Sequence, residues 1–182
     1  LSGADGVVLD SLSKQGAWFR KLSVAKKRAN TAVEDLLNLY VKRKEITRDP
    51  YLPDLSIEHS FISEFPYSDT RDQVTAWKEI SNDLVQNIPM DRLLCGDVGF
   101  GKTELAIRAA FRVALSGKRV VVLAPTTILV NQLFSSFSNR LSSFAINVDI
   151  LSRLKTKKGV LETKKSITLN HNNVLIGTHA VL

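Results

Sequence analysis

GDVGFGKT, residues 96–103, decides the reading of this 182-residue chain. It matches G-x-x-x-x-G-K-[ST], with Gly96, Gly101, Lys102 and Thr103 at the fixed positions. The glycines let the backbone fold into a nest of N–H groups that converges on phosphate oxygens, where a Cβ would block the approach. The helix expected to follow adds its free N–H groups and the positive end of its dipole. Lys102 is then expected to reach the β- and γ-phosphates of a nucleotide, and the Thr103 hydroxyl to ligate Mg²⁺. The candidate ATP-binding run is Gly96, Asp97, Val98, Gly99, Phe100, Gly101, Lys102, Thr103 and Glu104, with Lys102 and Thr103 as the catalytic pair.

Working outward, the apolar run RLLC (92–95) reads as a strand entering this turn, with Cys95 as a small buried strand residue, and a helix is expected from about Lys102 to Ser116. KRVVVLAP (118–125) is a Val-rich strand ended by Pro125, and Thr127 to about Leu141 a helix. INVDIL (146–151) is a third strand, about Thr156 to Leu169 a helix, and NVLIG (173–177) a fourth strand. Upstream, Thr70 to Asn87 reads as a helix with Val74, Trp77, Ile80 and Leu84 on one side. Strands alternating with helices of this length predict an α/β fold, a parallel sheet with helices on both faces. Before it, Ser23 is placed to cap a basic helix from about Val24 to about Ile46, opened by Lys26, Lys27 and Arg28 and closed by Lys42, Arg43 and Lys44. Pro50 and Pro53 end that helix and mark a linker. The resulting divisions are 1–23, 24–48 and 49–182.

Hydrophobic residues make up 44% of the chain and charged residues 24%, enough for a packed core and unlike a disordered chain. One Cys excludes an internal disulfide, and Cys95, His59, His171 and His179 lack zinc-ligand spacing. The longest apolar run, 120–125, is too short to span a bilayer, and the first ten residues carry two acids and no base, unlike a targeting peptide. A cytoplasmic location and no membrane partner are expected. The net charge of +7 is uneven: residues 51–100 have three bases and nine acids, whereas residues 101–182 have twelve bases and three acids. A polyanion partner for the C-terminal part fits that distribution, as does a solvated basic face. The chain opens on Leu and closes on the apolar GTHAVL, which reads as a piece of a longer protein.

Around the phosphate loop a family resemblance emerges. MDRLLCGDVGFGKTELAIRAAF (90–111) resembles the motor module of the bacterial transcription-repair coupling factors, superfamily 2 double-stranded DNA translocases related to RecG. Phe100 separates it from the RecG type, in which a Ser is expected there. APTTILVNQ (124–132) resembles motif Ia, LIGTHAVL (175–182) motif Ib, and FPYSDTRDQ (65–73) the segment ahead of the family's Gln; the basic helix resembles the linker between the polymerase-interacting domain and the motor. The resemblance implies a RecA-like P-loop fold and an incomplete first motor lobe. It implies that Gln73 reads the adenine edge, with Phe65 or Tyr67 available to pack on the base. It also implies that Pro125, Thr126, Thr127, Gln132, Arg153, Gly177, Thr178 and His179 contact phosphates of double-stranded DNA, with Ser152 beside Arg153. Asn131, Leu133 and Ala180 depart from the family's usual Gln, His and Lys.

An ATP hydrolase of this class needs an acid pair for Mg²⁺ and the attacking water. After Glu104 the only acids are Asp149 and Glu162, so the pair is missing and this chain is expected to be inactive alone. The implied function is part of an ATP-dependent translocase that displaces stalled RNA polymerase and recruits excision-repair proteins through domains outside these residues. The alternatives are a RecG-like fork-remodelling helicase and a non-catalytic nucleotide-binding module.

Overall fold

The computed structural model describes residues 15–151 and 174–179, with side chains from residue 18. The chain divides into two compact units, Leu1–Thr47 and Arg48–Leu182. The described part of the first is one helix, α1 (Gln15–Glu45), whose side chains from Trp18 onward are exposed. Ser23 does not cap it. Its hydroxyl donates to the Arg20 carbonyl at 2.9 Å, as Thr31 does to Lys27 at 3.1 Å. Such back-bonding lets short polar side chains sit inside a helix, so α1 runs through the expected start at Val24. Lys42, Arg43 and Lys44 close it on the favourable end of the dipole, as their spacing implied.

The second unit opens with α2 (Leu55–Ser63), which apolar periodicity does not single out. Its signal is Asp54 after Pro53: the Asp54 carboxylate accepts from the Ser56 and Ile57 N–H groups, each at 3.1 Å. The order is then α3 (Arg71–Leu84), α4 (Lys102–Leu115), β1 (Val120–Leu123), α5 (Thr127–Leu141), a 3₁₀ turn (Ser142–Phe144), β2 (Val148–Leu151) and β3 (Val174–Gly177). The alternation of helix and strand read from the sequence is present, with β3 buried and β1 and β2 partly exposed. The expected helix at about 156–169 lies outside the described residues, as do Ser152, Arg153 and Ala180.

The described strands are all parallel, in the order β1-β3-β2. The register sets Val120, Val174 and Val148 side by side, and Val122, Ile176 and Ile150 in the next row on the same face. With a period of two, that face meets Ile107, Ala110, Phe111 and Ala114 of α4 and Val130, Phe137 and Leu141 of α5 in the main core. Phe61 of α2 stacks on Phe111 with ring centroids 3.9 Å apart, and Phe144 meets both edge-on. Such pairs add about 0.5–1.5 kcal/mol beyond the area they bury. A second, smaller core lies on the other side of α4, where Leu105 packs against Ile80 and Leu84 of α3.

RLLC (92–95) is a correction. Among the described residues it pairs with no strand: Leu94 and Met90 join the smaller core, whereas Leu93 is 87% exposed and Cys95 is exposed rather than buried. Arg92 ties the segment to α3 instead, donating from Nε to Asp83 at 2.6 Å and from Nη1 to Glu79. The hydrogen bond to Asp83 raises the guanidinium pKa. An apolar tetrad alone does not say whether a strand partner lies beside it.

Candidate nucleotide and nucleic-acid site

Residues 96–101 form a turn ahead of α4, with Gly99 at φ +86° and Gly101 at φ +71°. Side chains rarely adopt such conformations, which is the physical content of glycine at these positions. Gly101 caps α4 without a side-chain hydrogen bond, so no side chain competes for the first amides of the helix. The Lys102 ammonium folds back over the loop and donates to the carbonyls of Gly96 at 2.6 Å and Asp97 at 2.5 Å. A phosphate entering the turn would exchange those carbonyls for anionic oxygens. Thr103 is exposed in the first turn of α4. The other loop side chains point outward, Val98 being 98% and Phe100 61% exposed.

Gln73 meets this loop from α3. Its Oε1 accepts from the Thr70 N–H at 2.7 Å, while the Thr70 hydroxyl accepts from the Gln73 N–H at 3.3 Å, a capping box that starts α3. Its Nε2 donates to the Phe100 carbonyl at 3.0 Å, and a Cβ at Gly101 would collide with that amide. One amide hydrogen and one lone pair of Gln73 remain for a ligand. Gln73, Thr70 and Asp72 line one cleft with Cys95, Gly96, Phe100 and Lys102. Sequence reasoning missed Thr70, Asp72 and Cys95, although the T-x-x-Q spacing of a capping box pointed to Thr70. Phe65 and Tyr67 make an edge-on contact with each other and do not line the cleft.

Glu104, expected among the ATP-binding residues, turns the other way. It is 5% exposed, and its carboxylate accepts from Arg108 Nε at 3.1 Å and from Arg140 Nη2 at 2.8 Å and Nε at 3.1 Å. Arg108, 2% exposed, forks onto Asp69 with Nη1 at 2.7 Å and Nη2 at 3.0 Å. Burial pulls the Arg108 pKa down, but hydrogen bonds to Asp69 and Glu104 outweigh it and the net shift is upward, so the cation persists. One turn further on, Arg112 forks onto Glu58 of α2 at 2.6 and 2.7 Å and donates to the Ser81 hydroxyl of α3 at 2.8 Å. Glu104, Arg108 and Arg112 recur every four residues along one stripe of α4. That spacing was the available signal; their burial was not readable from it.

The proposed DNA contacts gather where β1 and β3 end. Leu123 pairs with Gly177, and the Ala124 N–H donates to the Gly177 carbonyl at 2.9 Å, so Pro125–Thr127 and Thr178–His179 leave the sheet side by side. Thr126 caps α5, its hydroxyl accepting from the Leu129 N–H at 3.3 Å. Gln132 and His179 are exposed, whereas Gly177 is buried in its strand; Arg153 lies outside the described residues. Because a short loop joins the end of α4 to the start of β1, α4 runs back along the sheet. Its first turn therefore lies at the same carboxyl edge as Thr126 and Thr178. Among the described residues no cluster of His, Cys, Asp or Glu could hold a metal ion.

A parallel sheet with a glycine-rich turn at the head of the helix packed on it is the arrangement of an incomplete RecA-like lobe. The family model for DEAD/DEAH box helicases matches residues 70–182, more than half of the sequence, and the chain belongs to that family. It is 41% identical over 181 residues to the transcription-repair-coupling factor of Borreliella burgdorferi, covering 100% of this chain and 16% of that one. It is 43% identical over 161 residues to the factor of Bacillus subtilis (86% and 14%), and 42% over 176 residues to a chloroplastic ATP-dependent DNA helicase of Arabidopsis thaliana (96% and 21%). A solved structure of RecG bound to a three-way DNA junction superposes with a TM-score of 0.73 at 31% identity, covering 79% of this chain and 20% of that one. The resemblance read from residues 90–111 thus extends along the whole chain, which spans about a sixth of the Borreliella relative.

Proposed function

We propose that this chain is the ATP-binding part of a double-stranded DNA translocase that couples transcription to excision repair. The observation that carries the reading is the single cleft in which Gln73 meets Gly96, Phe100 and Lys102. In it, the amides of 96–101 and the start of α4 would hold the phosphates, Lys102 would leave its carbonyl partners for the β- and γ-oxygens, and Thr103 would ligate Mg²⁺. Bound Mg-ATP supplies the phosphoryl group whose loss drives the cycle. Pro125–Thr127, Gln132 and Thr178–His179 would hold one DNA backbone at the same edge of the sheet, and Arg153 is assigned there as well. Identity of 41–43% to two coupling factors favours RNA polymerase and excision-repair proteins as partners of the longer protein, with α1 as the linker to the motor and the cytoplasm as its place. No described helix is long and apolar enough to cross a membrane. The RecG superposition supports a second reading, a fork-remodelling helicase with the same nucleotide site. Phe100 speaks for the first.

The test is Lys102→Ala, read by titration with a fluorescent ATP analogue. Loss of the cation that faces the phosphates is expected to cost roughly 2–4 kcal/mol of binding. Unchanged affinity would remove the phosphate loop from the site.

A further inference from the structure

Resting on the nucleotide reading, we propose that Asp69 and Arg108 are positioning residues that set the base side of the cleft against its phosphate side. Neither touches the cleft. The argument is a closed ring of contacts. Arg108 rises from α4 two turns after Lys102 and clasps Asp69 with two parallel hydrogen bonds, a geometry available to a guanidinium and a carboxylate but not to an ammonium. Asp69 immediately precedes Thr70, which boxes Gln73, and Gln73 holds the Phe100 carbonyl one residue before Gly101 starts α4. The ring returns to the helix it left. Glu104 takes the remaining Nε–H of Arg108 and is itself held by Arg140 of α5, so the guanidinium cannot swing away.

This arrangement separates two duties. The phosphate turn is continuous with α4 and keeps its place without Asp69. The start of α3, with the one free hydrogen and lone pair of Gln73, is joined to the head of α4 by the clasp and the Phe100 contact, whereas Ala76 and Trp77 further along pack in the smaller core with Leu105. Loosening the clasp should move the base side alone. A packing role would instead weaken the whole cleft or none of it.

The experiment compares Mg-ATP with inorganic tripolyphosphate, which has the phosphates and no base, by calorimetric titration of this chain and of Asp69→Asn. Asp69 is 20% exposed at its side chain, so the isosteric amide is suited to a folded variant. The expected result is an ATP affinity about tenfold weaker, the worth of one lost hydrogen bond, with tripolyphosphate within about twofold of the parent. Equal losses for both ligands, or no loss for either, would overturn the proposal. Should circular dichroism show Asp69→Asn unfolded, Asp69→Glu replaces it. That variant keeps the charge but displaces it by one methylene, and the same split or its absence decides. Ser81→Ala, which touches only the Arg112 clasp, is expected to leave both affinities unchanged, and an ATP-selective loss there would equally overturn it. A parent chain that binds neither ligand would instead sink the nucleotide reading itself. One that binds ATP no tighter than tripolyphosphate would sink its base side.

Discussion

Gln73 shows how one side chain can serve folding and binding at once. Its amide oxygen starts α3 and its amide nitrogen holds the Phe100 carbonyl, so replacing it disturbs more than a base contact. Gln73→Glu separates the parts: a carboxylate still accepts from Thr70 but cannot donate to Phe100, and it sets a negative charge beside a carbonyl. The expected outcome is thermal stability close to the parent's with weakened ATP binding. Gln73→Ala should lose the cap as well, at about 0.5–2 kcal/mol. In both variants the loss should be larger for ATP than for GTP; equal losses in competition titrations would reduce Gln73 to a structural residue. At this scale much was legible in the sequence. The G-x-x-x-x-G-K-T spacing located the turn, because backbone geometry dictates it. Glu104 was misread for a related reason: adjacency to Thr103 placed it near the phosphates, but one further residue of helix rotates a side chain by about 100°, here into the interior. Cys95 was misread because burial depends on a neighbouring strand that four residues cannot announce.

At the scale of elements, α4 is the hub, with the sheet on one side, α3 on another and a stripe of charge between. Its ion pairs are buried, and that governs what their loss costs. Glu58→Ala leaves the Arg112 guanidinium, 2% exposed, without its carboxylate, and should destabilise the second unit by about 3–5 kcal/mol in urea unfolding. Glu79→Ala, in the exposed pair with Arg92, should leave the midpoint unchanged. A comparable shift in both would show that the Glu58 clasp is no more desolvated than a surface pair. Helix and strand identities from 102 to 151 were readable because period 3.6 and Val-rich period-2 stretches are local properties. The start of α1 and all of α2 were not, since both depend on single Ser and Asp side chains whose hydrogen bonds can go either way. The paired ends of β1 and β3 carry their own prediction. Duplex DNA should bind there weakly and without sequence preference, its affinity falling steeply with salt because Thr126, Thr127, Thr178 and His179 would meet only phosphates. A salt-insensitive or sequence-selective complex in anisotropy titrations would contradict backbone contact.

For the whole molecule the question is whether a nucleotide cradle makes an enzyme. Hydrolysis needs a carboxylate to hold Mg²⁺ and orient water, and a cation to meet charge developing on the γ-phosphate. The acids near the turn form no such group. Glu104 is spent on Arg108 and Arg140, and the Asp149 carboxylate accepts from the neighbouring Ile150 N–H at 2.7 Å within β2. Neither these nor Asp72 and Asp97 belong to a cluster that could hold a metal ion among the described residues. Nor are Arg108, Arg112 and Arg140 free to serve as the second, since each is held by the buried carboxylate of Glu104 or Glu58. An arginine finger alone is worth on the order of 10³–10⁵ in rate. These 182 residues should therefore bind Mg-ATP and hydrolyse it at the background rate, with or without DNA. A longer chain that brings an acid pair should gain a firmer metal site but little turnover, and only one that also brings the opposing cation should show DNA-stimulated hydrolysis. Phosphate release measured on the three chains decides the matter. Robust DNA-dependent turnover by this chain alone would mean that Asp97 or Asp149 reorients on binding ATP and takes the metal, which Asp97→Asn and Asp149→Asn would then each reveal.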